Sequence, residues 1–420
     1  MKEILKNINN LMRKRHSKVV LIFLLNMAIM LTFQSCIDAF DFESTEFKSA
    51  LVVEGTITDQ EEVQKIRVSR TFPLDTVLMS GVSGANVSVL DSDGSVYSFS
   101  EASDGEYRSN EAFSVVPGRT YTLSILTQDG KEYRSDETNV PTQTTIDNLY
   151  AERDFNDVAE NEGMFIYVDS YDPTGQSNYY RYEYEETYKI IAPFWSGLDA
   201  YIVSPLPEPE VGTRPKEQEE QICYQTVPSN TIIQQSTTEF GEDRISKFPV
   251  RFINRDNYIL SHRYSILVRQ YVQSRAAFTY YETLESMAGS ENFFSQLQTG
   301  FLEGNIRSLS EPNEDVIGFF QVSTVSEKRI FFDYNDFFPN ENLPDYPISC
   351  DLVSPPIITE TGASPLLIAI ELELLKYVED YDQETNPLNF SEYGPFLMVP
   401  TPCGDCTVYG SNVVPEFWIE

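Results

Sequence analysis

The chain has 420 residues, 65 acidic against 30 basic side chains and a formal net charge of −35. A surface this acidic repels phosphate, which excludes nucleic-acid binding and disfavours adhesion to anionic lipid head groups. Disorder is excluded as well, because 13% aromatic residues bury too much apolar area for an unfolded acidic chain.

The N-terminus carries Lys2, Lys6, Arg13, Lys14, Arg15 and Lys18 against Glu3, followed by an apolar run from Val19 to Phe33. That run holds Asn26 and falls short of the roughly 20 residues a spanning helix needs, so it reads as a cleaved export signal over residues 1–35. Ser35 directly before Cys36 resembles the lipobox of bacterial lipoproteins, in which the cysteine thiol is acylated and becomes the new N-terminus, although Phe33 stands where that pattern has Leu. Asp38, Asp41 and Glu43 resemble the surface-export signal of Bacteroidota lipoproteins, here interrupted by Ala39 and Phe40. The expected location is therefore the outer membrane, lipid-anchored at the extracellular face, with residues 36–48 as a solvated tether. The signal removes six bases and one acid, leaving 24 against 64 and a net charge of about −40 on Cys36–Glu420, most simply a solubility device. That length suffices for two or three domains with proper cores.

Residues 49–143 read as an N-terminal antiparallel β-sandwich of prealbumin-like or Ig-like type. "LVVEGTI", "QKIRVSR", "ANVSVLD", "SVYSFS", "RTYTLSIL" and "KEYRS" each place apolar residues at every second position, as half-buried strands require. Asp93-Gly94, Asp104-Gly105 and Asp129-Gly130 fall between them and supply hairpin turns. "DSDG", Asp91 to Gly94, begins like an EF-hand loop but lacks the later ligands and is read as a hairpin.

Residues 144–420 read as a second, larger β-rich domain. "MFIYVDSYDP" and the aromatic alternation from Asn178 to Tyr188 are strands, joined by a turn at Asp172-Pro173-Thr174-Gly175. Val203 to Gln221 is a Pro-rich acidic stretch, expected to be a long loop, mobile or functional. A helix is expected over residues 274–289, with Ser274 as its cap, Phe278, Tyr281, Leu284 and Ala288 on one face, and Gly289 at its end. That stripe reads as packing on the sheet. Strands follow at "RYSILVRQY", just before it, and Asp315 to Phe332, and a second helix or strand runs from Pro365 to Asp382.

Chemistry is sparse. His16 leaves with the signal, so any triad or imidazole metal site rests on His262 alone, which reads as a satisfied, half-buried side chain. No phosphate-binding, dinucleotide, hydrolase-elbow or zincin motif occurs, and chance pairs among so many carboxylates carry no argument for a glycosidase. Neither a metal nor a cofactor is expected. Of five cysteines, Cys36 takes the lipid and leaves Cys223, Cys350, Cys403 and Cys406. Four thiolates on zinc suit a reducing compartment, and Cys403-Gly404-Asp405-Cys406 lacks the βαβ context of a redox motif. Disulfide staples are the expectation. Sequence does not choose among three pairings, but loop closure favours each C-terminal cysteine reaching back to Cys223 or Cys350, at about 4 to 5 kcal/mol each.

The lipobox with acids, "LVVEGTITD", "VSGANVSVLDSDG", "RYSILVRQYVQSRAAFTYYETLESM", "EGNI", "VIGFFQVSTVSEKRIFF" and the terminal "CGDCTVYGSNVVPEFW" together resemble the Bacteroidota lipoproteins grouped as domain of unknown function 4249. The resemblance implies company with TonB-dependent outer-membrane receptors and transfers no catalytic residue. The function expected is that of a non-enzymatic surface lipoprotein acting beside such a receptor in nutrient capture or uptake. The alternative is an envelope assembly or scaffold lipoprotein that binds other outer-membrane proteins. Metabolic palmitate labelling should mark the wild-type chain, and Cys36→Ala should abolish both the label and membrane retention.

Overall fold

The structure, a computed structural model, describes residues 49–72, 80–288, 302–382 and 393–420. The expected signal, the tether, Cys36 and Gly289 lie outside those residues. None of the described helices is long and apolar enough to cross a membrane.

The chain opens with β1 (Leu51–Thr58), β2 (Lys65–Arg70), β3 (Ser80–Gly81), β4 (Asn86–Asp91), β5 (Val96–Ser103), β6 (Glu106–Ser109), β7 (Thr120–Leu126), β8 (Glu132–Ser135) and β9 (Thr138–Asn139). Alternation sets the inward face: Val87 and Val89, and Tyr121, Leu123 and Ile125, are all buried in one core. The three Asp-Gly pairs sit at the β4–β5, β5–β6 and β7–β8 turns with positive φ at each glycine, as tight hairpins demand. Asp91 serves its own hairpin, accepting from the Asp93 and Ser95 N–H groups at 3.0 and 2.8 Å and pairing with Arg119 at 2.7 Å. Burial pushes its carboxyl up, but those N–H groups and Arg119 outweigh it and hold the carboxyl below the usual range.

The second region contains β10 (Ile146–Asn156), β11 (Asn161–Tyr171), β12 (Tyr179–Ile191), β13 (Leu198–Ser204), β14 (Glu210–Pro215), β15 (Ile222–Pro228), β16 (Ile233–Ser236), β17 (Arg244–Asn254) and β18 (Tyr264–Val272), then helix α1 (Arg275–Ala288). After α1 come β19 (Ile306–Ser308), β20 (Val316–Phe332), α2 (Tyr334–Phe337), α3 (Pro365–Glu371), β21 (Leu375–Asp380), β22 (Phe396–Pro400) and α4 (Thr401–Gly404). The main sheet runs β15-β12-β18-β20-β1-β2-β6-β5-β4-β7-β8-β19, and β10-β11-β17 form a second sheet. Tyr180, Tyr182, Tyr184 and Tyr188 of β12 share a core with Met164, Ile166 and Val168 of β11 and with Ile245, Val250 and Ile253 of β17. The fold is thus mainly β, with two separate sandwich-like cores. At the β11–β12 turn, Asp172 accepts from Thr174, Gln176 and Ser177. Burial opposes these bonds, yet they pull its carboxyl down to about 2.

Three expectations change. The long loop over Val203–Gln221 is in fact the end of β13, a tip, all of β14 and a short segment, anchored by buried Glu220, leading to β15. A single helix from Pro365 to Asp382 does not form: α3 stops at Glu371, Glu373 takes φ 51°, and Leu375–Asp380 pairs with β22. Long-range pairing there overrides local helix propensity. The first core also takes Ile306 from β19 and Val316, Phe320 and Val322 from β20, so residues 49–143 do not complete it alone.

β20 joins the two cores. Its first half pairs in parallel with β1 (Leu51↔Val316 to Thr58↔Ser323), and its second half pairs antiparallel with β18 (Val272↔Thr324 to Tyr264↔Phe332). Gly318, at φ 125°, lies so close to β1 that a Cβ would stand 1.9 Å from the Val53 carbonyl oxygen. The Asn305 side chain satisfies the buried Phe320 backbone on the other side, accepting from its N–H and donating to its C=O, both at 2.8 Å. Asn305→Ala strands both groups and should lower the unfolding free energy by about 2 to 4 kcal/mol, read as a shift of the urea midpoint at unchanged m-value.

Candidate functional site

Cys223 and Cys406 lie in the second core, and with Cys350 and Cys403 they fasten the base of a small third lobe. Its core is Leu366, Tyr377, Phe396 and Met398, with Leu198, Ala200 and Val211 of the β13–β14 hairpin and Ile370 and Leu375 packed against it. Cys223 bonds Cys406 and Cys350 bonds Cys403, with Cα separations of 5.6 and 5.7 Å. Each C-terminal cysteine reaches back, as loop closure favours. The staples span 183 and 53 residues. Cys406 N–H donates to the Glu220 carbonyl and Phe194 N–H to the Cys403 carbonyl, both at 2.9 Å, so backbone bonds and covalent bonds fix the same strap.

Beneath the hairpin lies an ion cluster that sequence reasoning missed. Lys216 bonds Asp199 at 2.7 Å and also Glu220, while Lys376 bonds Glu220 at 3.3 Å and Asp405 at 2.9 Å. Lys216, Glu220 and Asp405 are nearly buried. Burial favours the neutral form of each partner in the Lys376–Asp405 pair. Their mutual contact, joined on the Asp405 side by bonds from Thr407, nevertheless raises the Lys376 pKa and lowers that of Asp405. Charges removed from water this far are tolerated only when paired, so the cluster locks the hairpin base to β21 and to the Cys-x-x-Cys turn. The sequence signal was the basic pair Arg214 and Lys216 inside an otherwise acidic stretch.

Outside this lock the lobe exposes large apolar side chains among its acids. Leu206 at the hairpin tip is 56% exposed, and Leu372 and Leu374 beside α3 are 62% and 55% exposed. In the same lobe a groove of about 230 Å3 is walled by Tyr201, Ile202, Ile370 and Leu375 together with the charged Asp199, Arg214, Glu373 and Lys376.

The C-terminal segment straps the outer face of the main sheet. The Arg329 guanidinium lies 3.6 Å from the Phe417 ring centroid, and Trp418 meets Tyr224 and Phe331 edge to face at 4.9 and 5.8 Å. Beside the strap, Ser261, His262 and Asp333 line one recess. They form no triad: the Ser261 hydroxyl donates to the Pro344 carbonyl at 3.2 Å and Asp333 pairs with Arg263 at 2.6 Å. The imidazole is half-buried, as expected, but makes no hydrogen bond among the described residues. In the helix region, Ser274 accepts from the Ala277 N–H at 3.2 Å as expected, but the buried face is Ala277 and Tyr280 against Phe319; of the expected stripe, Tyr281 and Leu284 are partly buried beside them and Phe278 meets Tyr179 at 5.2 Å.

Mass spectrometry of a non-reduced digest should recover Cys223–Cys406 and Cys350–Cys403. The double change Cys350→Ser with Cys403→Ser should cost about 2 to 4 kcal/mol of stability.

The family model described as Domain of unknown function (DUF4249) matches residues 37–329. That span holds both cores up to the last residues of β20 and ends before Cys350, the Cys-x-x-Cys turn and Pro415–Trp418. Among curated proteins none matches. Because the match takes in 293 of 420 residues, the chain belongs to the family of domain of unknown function 4249.

Proposed function

We propose that this protein is a non-enzymatic, surface-facing outer-membrane lipoprotein that docks through its third lobe onto a TonB-dependent receptor and assists nutrient capture or uptake. One observation carries the reading: Leu206, Leu372 and Leu374 are each more than half exposed on a lobe held by two disulfides and a buried ion cluster. Large apolar side chains left exposed on a rigid, otherwise acidic body are a common mark of a protein interface. Preorganisation also removes the ordering cost that a free hairpin would impose on association. Glu208, Glu210, Glu371 and Glu373 adjoin the apolar residues in the chain, so the matching surface is apolar with a basic rim. The Cys36 lipid would hold the body close to a barrel in the same membrane.

Affinity capture from solubilised outer membrane should recover a large β-barrel with the wild-type protein. Leu206→Asp combined with Leu372→Asp, at exposed positions, should weaken that capture by roughly tenfold or more without lowering Tm. Repeated recovery of the lipoprotein alone, or full capture by the double variant, overturns the assignment.

A further inference from the structure

We propose that the recess around His262 binds a small monocarboxylate, whose anionic end takes the seat on Lys189 that the Glu420 side chain now fills. The site goes beyond the docking reading and does not depend on it. The recess measures about 360 Å3 and is built from the end of β12, the turn into β18 and the turn from β20 into α2.

Three observations converge there. First, Lys189 has only 16% of its side chain exposed, yet its ammonium is answered by a carboxylate that is 65% exposed. Both Glu420 oxygens accept from Lys189, at 3.1 and 2.9 Å, and one also accepts from the Tyr224 hydroxyl at 3.3 Å. An exposed carboxylate exchanges this contact for water at little cost, whereas Lys189, with most of its side chain covered, gains more from a counter-charge. The Lys189 contact holds the Glu420 carboxyl below its usual range, so the seat already favours a bound carboxylate.

Second, the His262 imidazole lines the recess without a hydrogen bond to any described residue. Burial, with Lys189 adding to it, lowers its pKa. At neutral pH it therefore offers one N–H and one lone pair to a guest. Exposed Asn335, on the same wall, is likewise without a side-chain hydrogen bond among the described residues.

Third, the remaining charges cancel. Arg263 is taken by Asp333 at 2.6 Å and by the Ile419 carbonyl, which leaves Lys189 as the cation released when Glu420 moves aside. One available cation beside Asp333, on a chain of net charge −35, suits a monoanion and disfavours a phosphate dianion. Ile191 and Leu343 supply apolar walls, so the guest carries a hydrocarbon part next to its carboxylate.

Benzoate and its neutral analogue benzamide are the probes. The chain has two histidines, His16 and His262, so histidine-selective 13C NMR of the full chain gives two imidazole signals at most, and His262→Gln assigns the relevant one. Benzoate should shift that signal saturably, and benzamide should not. By calorimetry, Glu420→Gln should raise benzoate affinity about threefold, and Lys189→Met should lower it by roughly tenfold, the loss of one charged hydrogen bond. The Glu420 change lies at an exposed side chain and tests the seat even where Lys189→Met fails to fold. A non-saturating shift, an equal response to benzamide, or unchanged affinity in Glu420→Gln overturns the proposal.

Discussion

Everything in the described body depends on the shared strand β20. Its two halves belong to different cores: Val316, Phe320 and Val322 face the first, and Phe332 faces the second. Leu51 must find Val316 across 265 residues before the first core can close. Such non-local pairing carries a loop-closure cost ahead of its return and makes for slow folding. Rigid coupling is the compensation. A one-residue slip of β20 would invert the inward faces of both halves together, and Gly318 and Asn305 hold the register at the point where the strand passes β1. Between the halves lie Gln270, Gln273, Gln321 and Ser323, all buried. Gln273 Nε2 donates to Gln321 Oε1 at 3.2 Å, and Gln321 bonds Ser323, so the junction is polar yet largely satisfied.

The second core resolves the apparent conflict between high charge and high aromatic content. Its tyrosines bury their rings and direct their hydroxyls onto polar partners: Tyr180 to Asp243 at 2.9 Å, Tyr182 to Gln270 at 3.1 Å and Tyr264 to Glu186 at 2.7 Å. Glu186, itself buried, also takes a two-pronged contact from Arg251 at 3.1 and 3.0 Å. A tyrosine there supplies the area of a phenylalanine and adds a hydroxyl donor to a buried acceptor. Acid inside the fold is thus matched by hydroxyl and guanidinium groups, while acid outside keeps the body soluble.

Legibility in the sequence follows the range of the interaction that decides each element. The strands of the first module and their Asp-Gly turns were readable because period-two burial and positive φ are local requirements. α1 was readable for the same reason, from Ser274 and its aromatic stripe. The β13–β14 hairpin was not, since Pro205, Pro207 and Pro209 mask two short strands whose inward residues are covered by elements far along the chain, among them α3, β21 and β22. Leu375–Asp380 likewise has helical composition and becomes a strand through β22. That strands β19 and β20 complete the first core could not be seen from residues 49–143, because the partners arrive from the far end of the chain. The cysteines could be counted and their reach argued, but the pairing needed the lobe. Nothing in the local sequence marks Lys189, Lys216 and Lys376 as the largely covered bases that the fold makes of them.

The two C-terminal segments that close the body are held by different physics, and this separates their roles. The lobe is fixed by covalent bonds and by largely buried ions, contacts that salt screens little. The strap beyond it rests on aromatic edges, a guanidinium stacked on Phe417 and an ion pair whose acid faces solvent, and that ion pair yields to competing anions and ionic strength. Regions of low local stability are where binding-linked motion concentrates. A rigid lobe therefore suits a protein surface that must be presented ready-made, and a lightly held strap suits a recess that must open, so the division of labour between docking face and small-molecule seat follows from what fastens each.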